Sequence, residues 1–433
     1  MTTLLPARAS RARGGVLTFA FLLAVVTYLD RICISAAAPF IMQDLHLTVL
    51  QMSVVFSAFT LAYSMFEIPS GWLGDVRGPR RVLTRVVLWW SAFTMLTATA
   101  RGFASLLSIR FLFGAGEAGA FPNIARSFSR WFPACERGQA NGVLFLGSRV
   151  GGMLSAPVAL FIIARWGWRP SFAIFGTLGL VWATAWYGWY RDSPADHAAV
   201  DARELAWIRQ DASGDEDLAG SARPTPWRVL LASPNLWAIC AMYFAFGYGL
   251  YFYFTWLPTY LIRELGFSLM AGGVFAALPF VLAGGADLFG GWLTDSLARR
   301  YGLRVARCWL GFGAFSTCAS FVFASTFDVP PIAKALCLAF ALASADTALG
   351  ACWAVPLDVG AAHAGVITGF MNTFGNLGGL VGPLVVGLSV ERWHSWMFPF
   401  YVTAIVYAAG AIAWLAIDPT MAIDEPRAEP TLG

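Results

Sequence analysis

The chain has 433 residues, of which 58% are hydrophobic and only 12% charged, with a formal net charge of +4 at pH 7. Soluble domains carry about 25% charged residues. The composition therefore excludes a soluble enzyme and defines an integral membrane protein, and the small net charge gives no sign of a nucleic-acid partner. Seven cysteines (Cys33, Cys135, Cys240, Cys308, Cys318, Cys337, Cys352) form no CxxC pair, and most lie in apolar stretches. They read as small core residues, not disulfides or metal ligands.

A membrane-crossing helix needs about 20 mainly apolar residues. Such stretches run over 15–39, 51–74, 81–100, 102–126, 138–163 and 168–190, and resume over 235–262, 270–294, 305–326, 331–355, 363–389 and 396–417. The expected fold is all-α, with twelve transmembrane helices in two six-helix bundles. The expected segments are a tail at 1–14, a first bundle at 15–190, a linker at 191–234, a second bundle at 235–418 and a tail at 419–433. The linker mixes acids and arginines with Pro224 and Pro226 and reads as a solvated, partly helical loop. Arg8, Arg11, Arg13, Arg77, Arg80, Arg81, Arg85, Arg130, Arg137, Arg299, Arg300, Arg304, Arg307 and the linker arginines fall on one side of that topology. Basic loops stay in the cytoplasm, so both termini are expected there, in the inner membrane of a bacterium. Asp30-Arg31 interrupts the first apolar run, which argues for an uncleaved helix and against a signal peptide.

The two bundles repeat one another. Gly71-Trp72-Leu73-Gly74-Asp75 at the end of helix 2 is matched by Gly291-Trp292-Leu293-Thr294-Asp295 at the end of helix 8. Gly147, Gly151 and Pro157 of helix 5 are matched by Gly375, Gly379 and Pro383 of helix 11, and Asp192 by Asp418. Two parallel halves of this kind are a transporter architecture, with the site near the midplane.

Gly71-x3-Asp75-x2-Gly78-x-Arg80-Arg81 resembles the helix 2–3 loop signature of the major facilitator superfamily. The second copy keeps Gly291, Asp295, Arg299 and Arg300 but has Ala298 where glycine is usual, which points to a looser latch in that half. Tyr28-Leu29-Asp30-Arg31, Arg110 through Glu117-Ala118 to Pro122, Trp131-Phe132-Pro133-x2-Glu136-Arg137, Tyr251 through Tyr260, and Asn372-x3-Asn376-x-Gly378-Gly379-x3-Pro383 are similar, more narrowly, to the anion:cation symporters, a family that includes sialin-like and sugar-acid carriers. The resemblance spans nearly the whole chain and implies proton-coupled uptake of an organic anion. It implies no cofactor; the partners would be the anion, protons and lipid, and the protein a monomer.

The residues themselves support a charged site. A charge at the bilayer centre costs about 2.5–3.5 kcal/mol on insertion scales, so Asp30, Arg31, Arg110 and Glu117 must pair, face water or meet a ligand. With a rise of about 1.5 Å per residue, Asp30 and Arg110 come to similar depth, and Glu117 shares a face with Arg110 about 10 Å further on. In the resemblance-based reading Arg31 and Arg110 hold a carboxylate, Arg149 adds a third anchor near the midplane, and Asp30 and Glu117 titrate. The alternative is a salt-bridge network that only joins helices. Tyr28, Tyr63, Tyr251, Tyr253, Trp353, Asn372 and Asn376 are candidate neutral contacts, although most of the rings on helix 7 are packing surface. Glu67 reads as structural or gating, while Asp287 and Asp346 divide evenly between pathway and inter-helix roles. Gly71, Asp75, Gly78, Arg80, Arg81, Asp295 and Arg299 are the gating motif. No histidine falls at mid-membrane, and no Walker loop, nucleophile elbow or metal cluster is present. Sugar acids are the first expected substrates and aromatic acids the second. The rivals are an efflux antiporter of the same fold and a transporter-like sensor. The arginines favour an anionic ligand without setting direction, and a sensor would need a longer cytoplasmic appendage.

Overall fold

The structure, a computed structural model, describes residues 11–209, 227–360 and 363–421. Arg8, Arg223, Pro224 and Pro226, and most of both expected tails, lie outside the described residues, as does the side chain of Asp75. Among the described residues all regular structure is helical. The first half contains α1 (Arg11–Asp44), α2 (Val49–Arg77), α3 (Pro79–Thr97), α4 (Phe103–Glu117), α5 (Ala120–Trp131), α6 (Ala134–Trp166) and α7 (Trp168–Trp189). Short helices α8 (Ala202–Ile208) and α9 (Trp227–Ala232) follow. The second half contains α10 (Pro234–Thr255), α11 (Leu269–Tyr301), α12 (Leu310–Ala324), α13 (Pro331–Thr347), α14 (Leu349–Gly360), α15 (Ala364–Trp393) and α16 (Met397–Ala416). Nine helices among the described residues are long and apolar enough to cross a membrane, α13 and α14 counting as one. The other expected crossings correspond to α3, to α4 with α5, and to α7. Helix starts follow local chemistry: Pro79, Pro234 and Pro331 open α3, α10 and α13, where the missing N–H is no loss.

The chain divides into two compact units, one formed by residues up to 47 with 58–222 and the other by 48–57 with 223 onward. The division falls within the expected linker, but it also cuts α2, whose first turns belong with the second unit. There the Leu50 N–H donates to Glu391 at 3.0 Å.

In the first unit α1 lies along α6 and α3 along α7. Glycine makes the α1–α6 contact possible. A Cβ on Gly147 would stand 2.5 Å from the Phe21 carbonyl oxygen, and one on Gly151 would stand 2.6 Å from that of Val25. Ser155 Oγ donates to the Leu29 carbonyl at 3.2 Å. The three contacts share one register, since 147 − 21, 151 − 25 and 155 − 29 all equal 126. The second unit repeats the device between α10 and α15, where Gly378 abuts the Phe244 carbonyl and Gly382 that of Tyr248.

The loop between α2 and α3, where the gating motif was expected, folds around Asp192, just beyond α7. Asp192 Oδ1 accepts from the Arg80 backbone N–H at 2.9 Å and lies 3.7 Å from Arg130 Nη1. Gly78 turns the chain between α2 and α3 with φ at 83°, a left-handed value that favours glycine. A Cβ there would also meet the Asp192 carboxylate at 2.6 Å. Arg80 Nε donates to the Tyr187 carbonyl at 3.0 Å, Arg81 is exposed, and Gly71 packs on Pro122. In the second half α11 runs straight through Ala298, with Asp295 and Arg299 exposed on it, and its left-handed residue is Gly302 with φ at 84°. The alanine thus marks a helix extended by about one turn.

The start of the linker is strapped to the first unit. Arg13 Nε donates to Glu204 at 3.2 Å and the same guanidinium pairs with Glu136. Trp207 Nε1 donates to Glu136 at 3.0 Å, while Asp201 caps α8 by accepting from the Glu204 N–H at 2.7 Å. His197 stands edge-on to Trp131 and Trp189, 5.4 and 4.7 Å between ring centres, and its Nδ1 accepts from the Ala199 N–H. Burial, then the nearby Arg191 charge, hold its pKa below the usual histidine value.

Candidate functional site

The polar centre of the first unit is built on α1, α3 and α4. Successive positions on α1 put Asp30 and Arg31 on different bearings. Asp30, 0% exposed, accepts from Trp90 Nε1 of α3 at 3.0 Å. Arg31 donates from Nε at 2.8 Å, and also from Nη2, to the single oxygen Oε1 of Glu117, the last residue of α4. The Arg31 guanidinium carbon lies 5.1, 5.1 and 5.0 Å from the ring centres of Tyr28, Phe59 and Tyr63, close enough for cation–π attraction. Its side chain keeps 10% exposure while that of Glu117 keeps none. Arg110, 2% exposed, stands 4.2 Å from the Phe113 ring centre and 5.4 Å from that of Phe59, within electrostatic reach of Asp30 and Glu117.

Two acids and two arginines cancel in charge, which is how a buried quartet is tolerated in hydrocarbon. Their hydrogen bonding does not close. Arg110 Nε and Nη1, Glu117 Oε2 and Asp30 Oδ1 are sealed from solvent without a hydrogen-bond partner among the described residues. Unmet buried polar atoms are costly, so within the described residues this quartet has hydrogen-bonding capacity left over. The break at Ala118–Gly119 follows directly on Glu117, and interrupted helices are where membrane transporters place ion and substrate groups.

The structure thus brings together Asp30, Arg31, Arg110, Glu117, Tyr28 and Tyr63. Glu67 of α2 lies within electrostatic reach of Arg31. Arg149 sits apart from the glycine face of α6. The constant register makes it level with Leu23, eight residues or about 12 Å along α1 from Arg31. In the second unit the Tyr253 hydroxyl donates to the Leu338 carbonyl at 2.7 Å, and the Tyr251 ring packs under Gly379. Trp353 meets Tyr243 edge-on at 6.1 Å. Asn372 and Asn376 are partly buried on α15. Sequence reasoning missed Trp90, Phe59 and Phe113 as walls of the site. The signal for Trp90 was present, since a buried indole N–H calls for an acceptor. Among the described residues no three His, Cys, Asp or Glu are placed to hold a metal ion.

A two-unit helical chain with a charge quartet beside a helix break defines the class of membrane transporters. Residues 20–383 match the Major Facilitator Superfamily, and the chain belongs to it. It is a transporter and not an enzyme. It is 36% identical over 417 residues to a probable sulfoacetate transporter of Cupriavidus necator, with 96% of each chain covered. It is 32% identical over 389 residues to a hexuronate transporter of Bacillus subtilis, covering 88% of this chain and 89% of that one. Among solved structures it resembles a D-xylose–proton symporter with a TM-score of 0.72 at 15% identity, over 94% of this chain and 99% of that one, a likeness of fold.

Proposed function

We propose that this protein is a proton-coupled symporter that takes up a small organic anion, as a monomer in a bacterial inner membrane with both termini in the cytoplasm. The observation that carries the reading is Arg31, which turns its Nε–Nη2 edge on one oxygen of Glu117 inside a ring of Tyr28, Phe59 and Tyr63.

That guanidinium edge suits a carboxylate or sulfonate as well as it suits Glu117. An incoming anion that takes Arg31 displaces the Glu117 carboxylate, which a proton then neutralises. Anion and proton enter together because the quartet stays near charge balance only with both. On the inner side Glu117 gives up the proton, recaptures Arg31 and expels the anion. Asp30, held by Trp90, and Arg110 set the field in which that exchange runs. Arg149 would attract the anion on the inner side of Arg31. The names of the relatives support small hydrophilic acids such as sulfoacetate and the hexuronates; aromatic acids remain the second expectation.

The test is uptake of radiolabelled sulfoacetate, D-glucuronate, D-glucarate and benzoate into proteoliposomes, with and without an inward proton gradient. Gradient-driven accumulation of one acid, lost in Arg31→Ala and uncoupled in Glu117→Gln, is expected. Acid-independent behaviour, or outward substrate movement driven by inward protons, sinks the symport reading and favours efflux.

A further inference from the structure

Arg31 has a second carboxyl within its field, to which the mechanism above gives no part. Glu67 of α2 is acted on by the Arg31 charge. Its depth follows from the packing of α2 along α4 and α5. Gly114 abuts the Phe59 carbonyl, Gly119 the Ser70 side chain, Gly71 the Pro122 ring and Gly74 the Asn123 side chain. These contacts advance together along the helices, at offsets of 55, 49, 51 and 49 residues. They bracket the level of Glu117 between residues 62 and 68 of α2, and Glu67 falls inside that bracket. The face is set as well. Phe59, Tyr63 and Glu67 follow at intervals of four, which stacks them on one side of a helix. The Phe59 and Tyr63 rings lie 5.1 and 5.0 Å from the Arg31 guanidinium carbon.

Two acids at one depth therefore share one arginine, and they differ in access. The Glu117 side chain keeps no exposure, whereas Glu67 is half-buried. The other charged groups of this region are Asp30 of α1, which Trp90 holds, and Arg110 of α4, which acts on Glu117. From α5 the neutral Asn123 donates to the Gly119 and Ser70 carbonyls at 2.7 and 3.1 Å, tying the helix break to α2. A guanidinium has five donors on two edges, so one arginine can serve two carboxylates in turn. Moving it between them costs less than stranding it in hydrocarbon.

We propose that Glu67 is the second seat of Arg31. When Glu117 takes its proton and no anion is bound, the guanidinium turns to Glu67; when Glu117 loses the proton, the guanidinium returns. Glu67 is then a positioning residue: its charge eases the protonation of Glu117, because that proton no longer leaves Arg31 alone. This rests on the symport reading above, in which Glu117 titrates, and its failure is distinguishable from that reading's failure.

The test is an infrared titration of the reconstituted protein without substrate. The protonated Glu117 carboxyl is read by its C=O stretch, assigned through its absence from Glu117→Gln. In Glu67→Gln the band should develop about one pH unit lower than in wild type, a tenfold loss of proton affinity. Glu67→Asp, which restores the charge, should recover at least half of that shift. A role confined to packing would lower the unfolding temperature of Glu67→Gln without moving the midpoint. An unmoved midpoint, or a shift that Glu67→Asp does not reduce, overturns the proposal while leaving symport intact. A Glu117 carboxyl that does not titrate in wild type overturns the symport reading, and the second seat with it. A second measurement needs no variant. The experimental structure of anion-free wild type, determined at a pH below the midpoint, should show Arg31 hydrogen-bonded to Glu67. Arg31 still on Glu117, or on neither acid, overturns the proposal.

Discussion

Arg31 and Glu117 are joined through a single carboxylate oxygen: both the Nε and Nη2 donors of the arginine converge on Oε1, and Oε2 is left without a hydrogen-bond partner among the described residues. A bidentate pair would engage both oxygens, so this pair is held below its full strength. That suits the exchange at this pair that the proposed symport requires.

Truncating one partner leaves the other charge buried alone. Glu117→Ala should destabilise the protein by about 3–5 kcal/mol, read as thermal unfolding in detergent. Glu117→Gln, which keeps an acceptor for Arg31, should lose clearly less. It should retain substrate counterflow while losing gradient-driven accumulation. Equal destabilisation by the two variants would show that the charge is immaterial to the fold.

The shared α1–α6 register predicts a size limit at Gly151. A methyl group there would stand 2.6 Å from the Val25 carbonyl oxygen and 2.9 Å from the Tyr28 Cβ. Gly151→Ala should cost about 1–3 kcal/mol through overpacking. Gly138, which has open space around its α-carbon, should accept alanine without loss. Comparative thermal unfolding of the two variants checks the difference.

At the α2–α3 turn, Gly78→Ala combines a left-handed backbone with a clash against Asp192 and should cost about 1–3 kcal/mol. Asp192→Ala removes the acceptor of the Arg80 N–H, a loss of about 1 kcal/mol by analogy with helix caps. Asp192→Asn should restore most of it. Hydrogen exchange at the Arg80 amide reports the bond directly.

His197 makes the linker strap sensitive to acid. Its folded pKa lies below the unfolded value of about 6.5, so the unfolded or undocked chain binds the proton more readily. Docking is therefore complete above the unfolded pKa and weakens as pH falls through it. Protonation would also remove the acceptor that holds the Ala199 N–H. Limited proteolysis of the linker should accelerate between about pH 7 and 5 in wild type, and much less in His197→Gln. A pH-independent cleavage rate would contradict this.

Much of this protein is legible in its sequence, because hydrocarbon accepts so few kinds of chain. Apolar runs of helical length specify the crossings, and charges inside them are expensive enough to be conspicuous. Asp30, Arg31, Arg110 and Glu117 were visible on that ground, as were the glycines that let α1 approach α6. Which partner each charge takes was settled by tertiary structure. One-dimensional spacing gives depth but not bearing, so it could not show that Arg31 turns to Glu117 while Asp30 turns to Trp90. The helix breaks behind Glu117 and Asp346 escaped notice for a related reason. Apolar composition runs unbroken across Ala118–Gly119 and Ala348, and only packing selects where the backbone ladder opens. That the turn glycine of the second half stands at Gly302 and Ala298 lies inside α11 was not legible either, because it depends on where the helix ends in space. The sequence by itself determined the crossings and the charges they carry; the fold decided which charges meet, because pairing depends on the rotation of each helix about its own axis.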